Sequence, residues 1–252
     1  MSDHSGLRLA TASGAILADA PRLGALLDAS GEAVFDPQFW AARAELAAAA
    51  AGRGSAWFLD SGPRQWVLRH YRRGGFIASL TADRYIWTGE SRVRAFAEYR
   101  LLALLIERGL PVPKPIGARY QRAGLRYRCD LITERVEGAR ALSAELAAGA
   151  LANEAWLSIG AALARLHAAG VDHADLNAHN VLIDPRGAVS VIDFDRGRMR
   201  EAGAWKLRNL RRLRRSLEKV SRNLPPGRFS AEAWASLVAG YRASAAPESR
   251  GL

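Results

Sequence analysis

The stretch from His173 to Asp195, H-A-D-L-N-A-H-N-V-L-I-D-P-R-G-A-V-S-V-I-D-F-D, constrains the fold more tightly than any other part of the chain. Val181-Leu182-Ile183 is a short apolar run of the length of a buried strand. Asp184-Pro185-Arg186-Gly187 supplies a turn, because proline presets φ, glycine accepts positive φ and an Asp side chain can hold backbone N–H groups. Val189-Ser190-Val191-Ile192 then returns as the second strand of a hairpin. A hairpin brings its far end back to its start, so Asp193 is expected beside the short loop that carries Asp175 and Asn180. Two carboxylates and an amide then converge on one spot.

That set has a definite chemistry. Asp193 and Asn180 offer hard oxygen ligands of the kind that suit Mg²⁺, and Asp175 can accept a proton from an attacking hydroxyl. Phosphoryl transfer needs in-line positioning and neutralisation of phosphate charge more than covalent chemistry, and these residue types supply both. An isolated Asp-x-x-x-x-Asn is common in turns, where the side chains cap backbone N–H groups; the flanking strands and Asp193 in register separate this one from that background. A competing arrangement uses His173, Asp175, His179 and Asp193 as ligands of a transition metal in a metallohydrolase, but leaves Asn180 and the hairpin without a purpose. His173, Asp175 and Asn180 match H-x-D-x-x-x-x-N, and the segment resembles the catalytic loop of protein-kinase-like enzymes, with Asp193-Phe194-Asp195 standing where D-F-G would be. The third letter departs from the protein-kinase pattern, as it does in small-molecule and sugar kinases of that fold. The resemblance therefore implies a metal role for Asp193 without the regulated activation-loop switch. His173 is expected to shape the loop by packing and hydrogen bonding, and His179 has no assigned role.

At 252 residues, 49% of them apolar, the chain can bury a sizeable core. Cys129 is the single cysteine, which excludes a disulfide framework or a cysteine metal cluster within the chain. Asp19 and Arg22 interrupt the apolar run from Ala15 to Leu27, so no signal peptide is expected. The Ala-rich stretch from Ala41 to Ala51 carries Arg43 and Glu45 and is too short to span a bilayer. A reducing, cytoplasmic location is the expectation. The balance of 36 Lys+Arg against 25 Asp+Glu, formally +11, favours polyanionic partners. No RNA-binding signature with interleaved aromatics is visible, so nucleic acid is not an expected partner.

Phe35-Asp36-Pro37-Gln38-Phe39-Trp40 reads as a helix start, with Asp36 as N-cap, Pro37 at the first helical position and Phe35 stapled against Trp40. The alanines that follow predict that this helix runs to about Gly52. Gly52-Arg53-Gly54-Ser55 precedes a strand at Ala56 to Leu59, a turn at Asp60 to Pro63 and a strand at Gln65 to Tyr71. Gly52 and Gly54 are candidate contacts for a nucleotide's phosphates through backbone N–H groups, against the background that glycines near a strand more often mark a turn alone. Arg92 to Arg108 repeats Val93, Phe96, Ala97, Leu101, Leu104 and Leu105 on one helical face and stops at Gly109. Within it, Glu98 is open to two readings: a solvated charge paired with Arg94 one turn away, or the partner of a cation on the strand Gln65 to Tyr71. In kinase-like folds that strand carries a lysine that grips the α- and β-phosphates, a role the resemblance assigns to Arg69; arginine keeps the charge and changes the donor geometry. Leu110 to Pro115 is an extended link, two strands follow near Ile116 to Tyr120 and Tyr127 to Thr133, and Glu134 to Gly138 reads as a hinge between lobes. Glu154 to His167, apolar at Trp156, Ile159, Leu163 and Leu166, predicts a buried helix that braces the catalytic loop.

The tail is the other unusual region. From Gly203 to Arg222, eight basic residues stand against Glu218 alone, while Leu207, Leu210, Leu213, Leu217 and Val220 repeat at helical spacing. A helix packed by its apolar stripe with a solvated basic face accounts for the pattern; the same face is also suited to an anionic substrate or membrane surface.

Several segments carry a resemblance more specific than the shared kinase motifs. Gly52-Arg53-Gly54 before Trp57-Phe58, Val67 to Gly75, Asp83-Arg84-Tyr85-Ile86-Trp87-Thr88-Gly89, Leu110-Pro111-Val112-Pro113, Asp130 to Glu134 and Asp172 to Asn177 resemble the 3-deoxy-D-manno-octulosonic acid (Kdo) kinases, a lipopolysaccharide kinase family of the protein-kinase-like superfamily, over about residues 30 to 225. The resemblance implies an α+β, protein-kinase-like two-lobed fold in one catalytic domain, with a small β-rich N-lobe at about 30–134 and a mainly helical C-lobe at about 138–252. It implies ATP and Mg²⁺ as cofactors, Asp175 as catalytic base, Asn180 and Asp193 on the metal, and Arg69, Glu98, Gly52 and Gly54 on the nucleotide. The acceptor it implies is the 4-hydroxyl of Kdo on a lipid A precursor, met at the cytoplasmic face of the bacterial inner membrane by a peripheral enzyme. Arg72, Arg73 and Arg84 are candidate contacts for that substrate or the nucleotide, beside the plainer reading as surface charge. Within the enzyme class, a heptose kinase of the same pathway or another small-molecule phosphotransferase stays open. A degenerate kinase fold that only binds anionic lipid or RNA is opposed by the intact Asp175, Asn180 and Asp193.

Overall fold

The computed structural model describes residues 6–43, 45–49, 56–62, 64–71 and 84–245. The chain gathers into two compact units, one built from the residues up to Leu104 with Pro113–Arg135, the other from Leu105–Val112 with the residues from Val136 onward.

The first unit is an antiparallel sheet dressed with short helices. β1 (Leu7–Ala10) and β2 (Gly14–Ala18) form a hairpin, and α1 (Ala20–Ser30), a 3-10 turn at Gly31–Phe35 and α2 (Pro37–Ala42) follow. Then come β3 (Leu46–Ala49), β4 (Ala56–Asp60), β5 (Gln65–His70), β6 (Tyr85–Ile86), α3 (Arg94–Glu107), β7 (Pro115–Ala123) and β8 (Arg126–Glu134). The strands order as β1-β2-β7-β8-β5-β4-β3, with β6 on β8. Side chains alternate across a strand, so Trp66 and Leu68 of β5 join Ile16, Ile116 and Ile132 in a core closed by Leu23, Leu27, Phe35 and Trp40. Trp40 locks this layer, its Nε1 donating to the Val34 carbonyl at 2.8 Å and its ring meeting Trp66 edge-on at 5.9 Å. Asp36 caps α2 by accepting from the Gln38 N–H at 3.0 Å.

The helix from Pro37 stops at Ala42, well short of Gly52. Leu46–Ala49 instead pairs with β4, Leu46 opposite Leu59 and Ala49 opposite Trp57. The helical preference of alanine is worth only a few tenths of a kcal/mol per residue, and a ladder of strand hydrogen bonds outweighs it. The hairpin β1–β2 and helix α1 have no counterpart in the sequence reading. β2 adds to the sheet along β7, from Gly14 opposite Gln121 to Ala18 opposite Gly117.

The second unit is mainly helical. β9 (Arg140–Ala141), α4 (Leu142–Ala148), α5 (Asn153–Ala168) and β10 (Val171–Asp172) lead into the loop at His173; β11 (Val181–Ile183), β12 (Val189–Val191), β13 (Arg198–Met199), α6 (Trp205–Ser221) and α7 (Ala231–Ser244) follow it. β11 and β12 form the hairpin with β9 on its edge, and β10 pairs with β13. α5 buries Trp156, Ile159, Leu163 and Leu166, as its spacing predicts. It meets α7 backbone to backbone: a Cβ on Gly160 would lie 2.0 Å from the Leu237 carbonyl oxygen, and one on Gly240 2.1 Å from that of Leu157. No other residue type fits at either crossing point. Ser230 caps α7 by accepting from the Ala233 N–H at 3.2 Å. Among the described residues no helix is long and apolar enough to cross a membrane.

Candidate active site

The loop after β10 is held by its own side chains. His173 is 3% exposed, its ring 4.6 Å from that of Phe194. Its Nδ1 accepts from the Asp175 N–H at 3.3 Å and its Nε2 donates to the Ile192 carbonyl at 2.9 Å. One acceptor and one donor is the pattern of a neutral imidazole, and burial pushes His173 below its ordinary pKa in agreement. The ring thus ties the backbone of Asp175 to the residue before Asp193. Asn180 makes a second tie. Its Nδ2 donates to the Asp175 carbonyl at 3.0 Å, and its own carbonyl accepts from the Ile192 N–H at 2.9 Å. Asn177 adds a third, donating to the same Asp175 carbonyl at 2.9 Å while its Oδ1 accepts from the His179 N–H at 2.8 Å.

The turn of the hairpin is built as its sequence suggests. The Asp184 carboxylate accepts from the N–H of Ala188 at 2.8 Å and of Arg186 at 2.9 Å, which holds it below the usual carboxylate range. At the far end, Asp193 has φ 66° and is the non-glycine residue with positive φ among the described residues. A left-handed conformation costs an L-residue about 1–2 kcal/mol, so the flanking structure imposes it. Phe194, 1% exposed, is the anchor that follows. The structure therefore brings Asp175, Asn180 and the strand leading to Asp193 together through hydrogen bonds at three points.

The donor set is one of hard oxygens. With Nδ2 engaged by the loop, Asn180 keeps Oδ1 as its acceptor, which with the Asp193 carboxylate suits Mg²⁺. The transition-metal reading does not survive. Both ring nitrogens of His173 hold backbone partners, His179 Nδ1 is 2.8 Å from Ser143 Oγ, and no group of three His, Cys, Asp or Glu suited to a metal occurs among the described residues.

In the first unit, alternation along β5 turns Arg69 away from the Trp66–Leu68 core, toward α3. There its guanidinium pairs with Glu98, whose other carboxylate oxygen accepts from the Tyr71 hydroxyl. The Glu98 side chain is 1% exposed, so it is a buried acid and not a solvated face charge; the Arg94 guanidinium lies over the Tyr85 ring at 4.8 Å. His70 points to the other side, where its Nδ1 meets the buried Asp130, itself gripped by Arg119 at 2.7 and 2.9 Å. Gly52, Gly54, Arg72 and Arg73 lie outside the described residues. Arg84 is described and exposed.

Sequence reasoning missed two supports. One is Tyr71, whose signal was its place two residues after Arg69, on the same strand face. The other is a buried polar chain beneath the loop: Asp172 accepts from Asn209 at 3.1 Å and from Arg200 at 3.0 Å, and His167 lies 2.9 Å from the Tyr241 hydroxyl and 3.5 Å from Asn209 Nδ2. Burial, assisted by Lys206, lowers the pKa of His167 to about 3 and keeps it neutral. α6 enters this chain through Asn209 and buries Trp205, Leu210, Leu213 and Leu217, leaving Arg208, Arg211, Arg214, Arg215 and Lys219 exposed.

Comparison with known proteins agrees with this geometry. Residues 37–241 match the model of the lipopolysaccharide kinase (Kdo/WaaP) family. Proteins described as 3-deoxy-D-manno-octulosonic acid kinase are similar along most of the chain. One from Stenotrophomonas maltophilia is 50% identical over 82% of this chain and 81% of its own length, and one from Xanthomonas axonopodis 51% identical over 83% and 82%. A third, from Xylella fastidiosa, is 48% identical over 82% of this chain and 81% of its own. A family match over most of the sequence and relatives of about half identity lead to one conclusion: the chain belongs to the lipopolysaccharide kinase (Kdo/WaaP) family.

Proposed function

We propose that this kinase transfers the γ-phosphoryl group of ATP to the 4-hydroxyl of a Kdo residue on a lipid A precursor, as a peripheral enzyme at the cytoplasmic face of a bacterial inner membrane. The observation that carries the reading is the loop itself: His173, Asn177 and Asn180 all fix the backbone of Asp175, leaving its exposed carboxylate to meet an acceptor. Asp175 orients the sugar hydroxyl and takes its proton as the bond to phosphorus forms. Asn180 and Asp193 would hold Mg²⁺, which when bound supplies neutralisation of charge on the phosphate oxygens. Arg69, aligned by Glu98, binds the α- and β-phosphates. The relatives' description as Kdo kinases supports the acceptor, and the exposed cations of α6 support attraction to an anionic surface.

The test is transfer of label from γ-labelled ATP to a Kdo-bearing lipid A precursor, run beside heptose-bearing acceptors. Label on the Kdo acceptor in the presence of Mg²⁺ is expected. Preferential labelling of a heptose acceptor would overturn the assignment.

A further inference from the structure

Among the described residues, the end of the β7–β8 hairpin presents a surface that neither phosphate transfer nor packing explains. At the turn end of the β7–β8 hairpin lies a concavity of about 270 Å³, lined by Arg84, Arg122, Arg126, Arg128 and Tyr127, with no acidic side chain among its described lining residues. Arg122 is fixed in place, its guanidinium 4.9 Å from the Trp87 ring and its Nε donating to the Gly124 carbonyl at 2.9 Å. Beside this cationic wall stand two apolar side chains in water. Leu125 at the hairpin tip is 78% exposed and Ile86 on β6 is 63% exposed. The backbone brings both residues to the same end of the hairpin: Ile86 pairs with Arg126, and the Trp87 N–H donates to the Leu125 carbonyl at 2.9 Å. The alternation that buries Tyr85 against Tyr127, their rings 5.5 Å apart, turns Ile86 outward on the same strand.

A lone exposed leucine is ordinary; an exposed Leu and an exposed Ile at one hairpin tip, with four arginines around it, are amphipathic in the sense of a membrane-interface surface. The α6 face offers charge only, since Trp205, Leu210, Leu213 and Leu217 are turned inward. Apolar tips in the acyl boundary with arginines reaching back to lipid phosphates satisfy both halves of the hairpin surface, and arginine's planar fork matches a phosphate bidentately. We infer that the β7–β8 tip, with Ile86, Leu125 and the Arg84–Arg122–Arg126–Arg128 concavity, is the docking surface through which this kinase sits on an anionic phospholipid bilayer. The inference rests on the reading that the acceptor is presented at a membrane.

The experiment is co-sedimentation with phosphatidylglycerol-containing vesicles and with pure phosphatidylcholine vesicles at low and high salt. It compares wild type, Ile86→Gln/Leu125→Gln, Arg84→Gln/Arg126→Gln, and the α6 control Arg211→Gln/Arg212→Gln/Arg215→Gln. Wild type is expected on the anionic vesicles only, with binding that weakens at high salt. Loss of each apolar side chain is expected to weaken binding about tenfold, from the size of the apolar transfer term. The arginine pair is expected to abolish preference for anionic lipid, and thermal unfolding midpoints close to wild type show that the substitutions act at the surface. Binding of both hairpin variants at wild-type strength overturns the docking surface, as does a loss confined to the α6 control. Turnover of wild type on a Kdo acceptor in the same vesicles reads the function separately: hairpin-dependent binding without turnover removes the acceptor assignment and leaves the docking surface, whereas turnover with hairpin-independent binding does the reverse.

Discussion

The pair of Arg69 and Glu98 gives a prediction whose size follows from its asymmetry. The Glu98 side chain is 1% exposed and that of Arg69 is 22% exposed. Arg69→Ala takes the guanidinium away from a carboxylate in the interior, which should cost about 3 kcal/mol of folding stability, the low end for breaking a buried pair. Glu98→Ala leaves a guanidinium that can reach water, at about 1.5 kcal/mol. The double variant removes both charges and so neither desolvation penalty survives; it should lose about 2–3 kcal/mol in place of the roughly 4.5 kcal/mol sum, a coupling of about 2 kcal/mol. Urea titrations of the four proteins measure this, and KM for ATP should show the same pattern, each single change raising it and the double change adding little more. Additivity within about 0.5 kcal/mol in the unfolding cycle, or an unchanged KM in Arg69→Ala, would refute the reasoning and move the phosphate-binding cation elsewhere.

Further predictions follow from the loop and from the chain beneath it. Asp193→Ala should abolish turnover and weaken ATP binding in the presence of Mg²⁺; calorimetry showing unchanged Mg²⁺-dependent affinity would remove Asp193 from the metal. His167, faced by Asp172, Lys206, His173 and Tyr241, has a folded-state pKa of about 3 against about 6.5 when unfolded. The unfolded state therefore binds the extra proton first, so this contribution to stability is complete above about pH 6.5 and is lost as pH falls toward 3. Denaturation midpoints across that range should show the slope in wild type, and His167→Gln should flatten it. Gly160→Ala should destabilise severely, by about 3 kcal/mol or more, because the added Cβ meets the Leu237 carbonyl; a melting temperature near wild type would contradict the α5–α7 packing.

The site was legible where local chemistry and spacing agree. The hairpin from Val181 to Val191 could be read because two short β-branched runs flank an Asp-Pro-x-Gly turn, and α5 because its apolar residues keep one helical period. The end of α2 was not legible, since Leu46–Ala49 is a strand only by virtue of its pairing with β4, a non-local fact. Nor was the β1–β2 hairpin, whose apolar run from Ala15 reads equally as the start of a helix until β7 is there to pair with it. On α3, the helical face was drawn to include Ala97, which is exposed, while Glu98 beside it is buried. Hydrophobic periodicity cannot show a carboxylate that is buried because a cation from another strand meets it. The chain Asp172–Asn209–His167–Tyr241 draws on three helices and a strand, and no window of sequence contains it.

The central claim is that Asp175 serves phosphate transfer to a Kdo hydroxyl, and the rate of that transfer tests it most directly. With γ-labelled ATP, Mg²⁺ and a Kdo-bearing lipid A precursor, Asp175→Asn should slow product formation by roughly 10²- to 10⁴-fold, the usual contribution of a general base, while ATP still binds and the unfolding midpoint is unchanged. The wild-type product should carry the label on Kdo. Turnover by Asp175→Asn within about threefold of wild type, or label found on the glucosamine of lipid A instead of Kdo, would contradict the account.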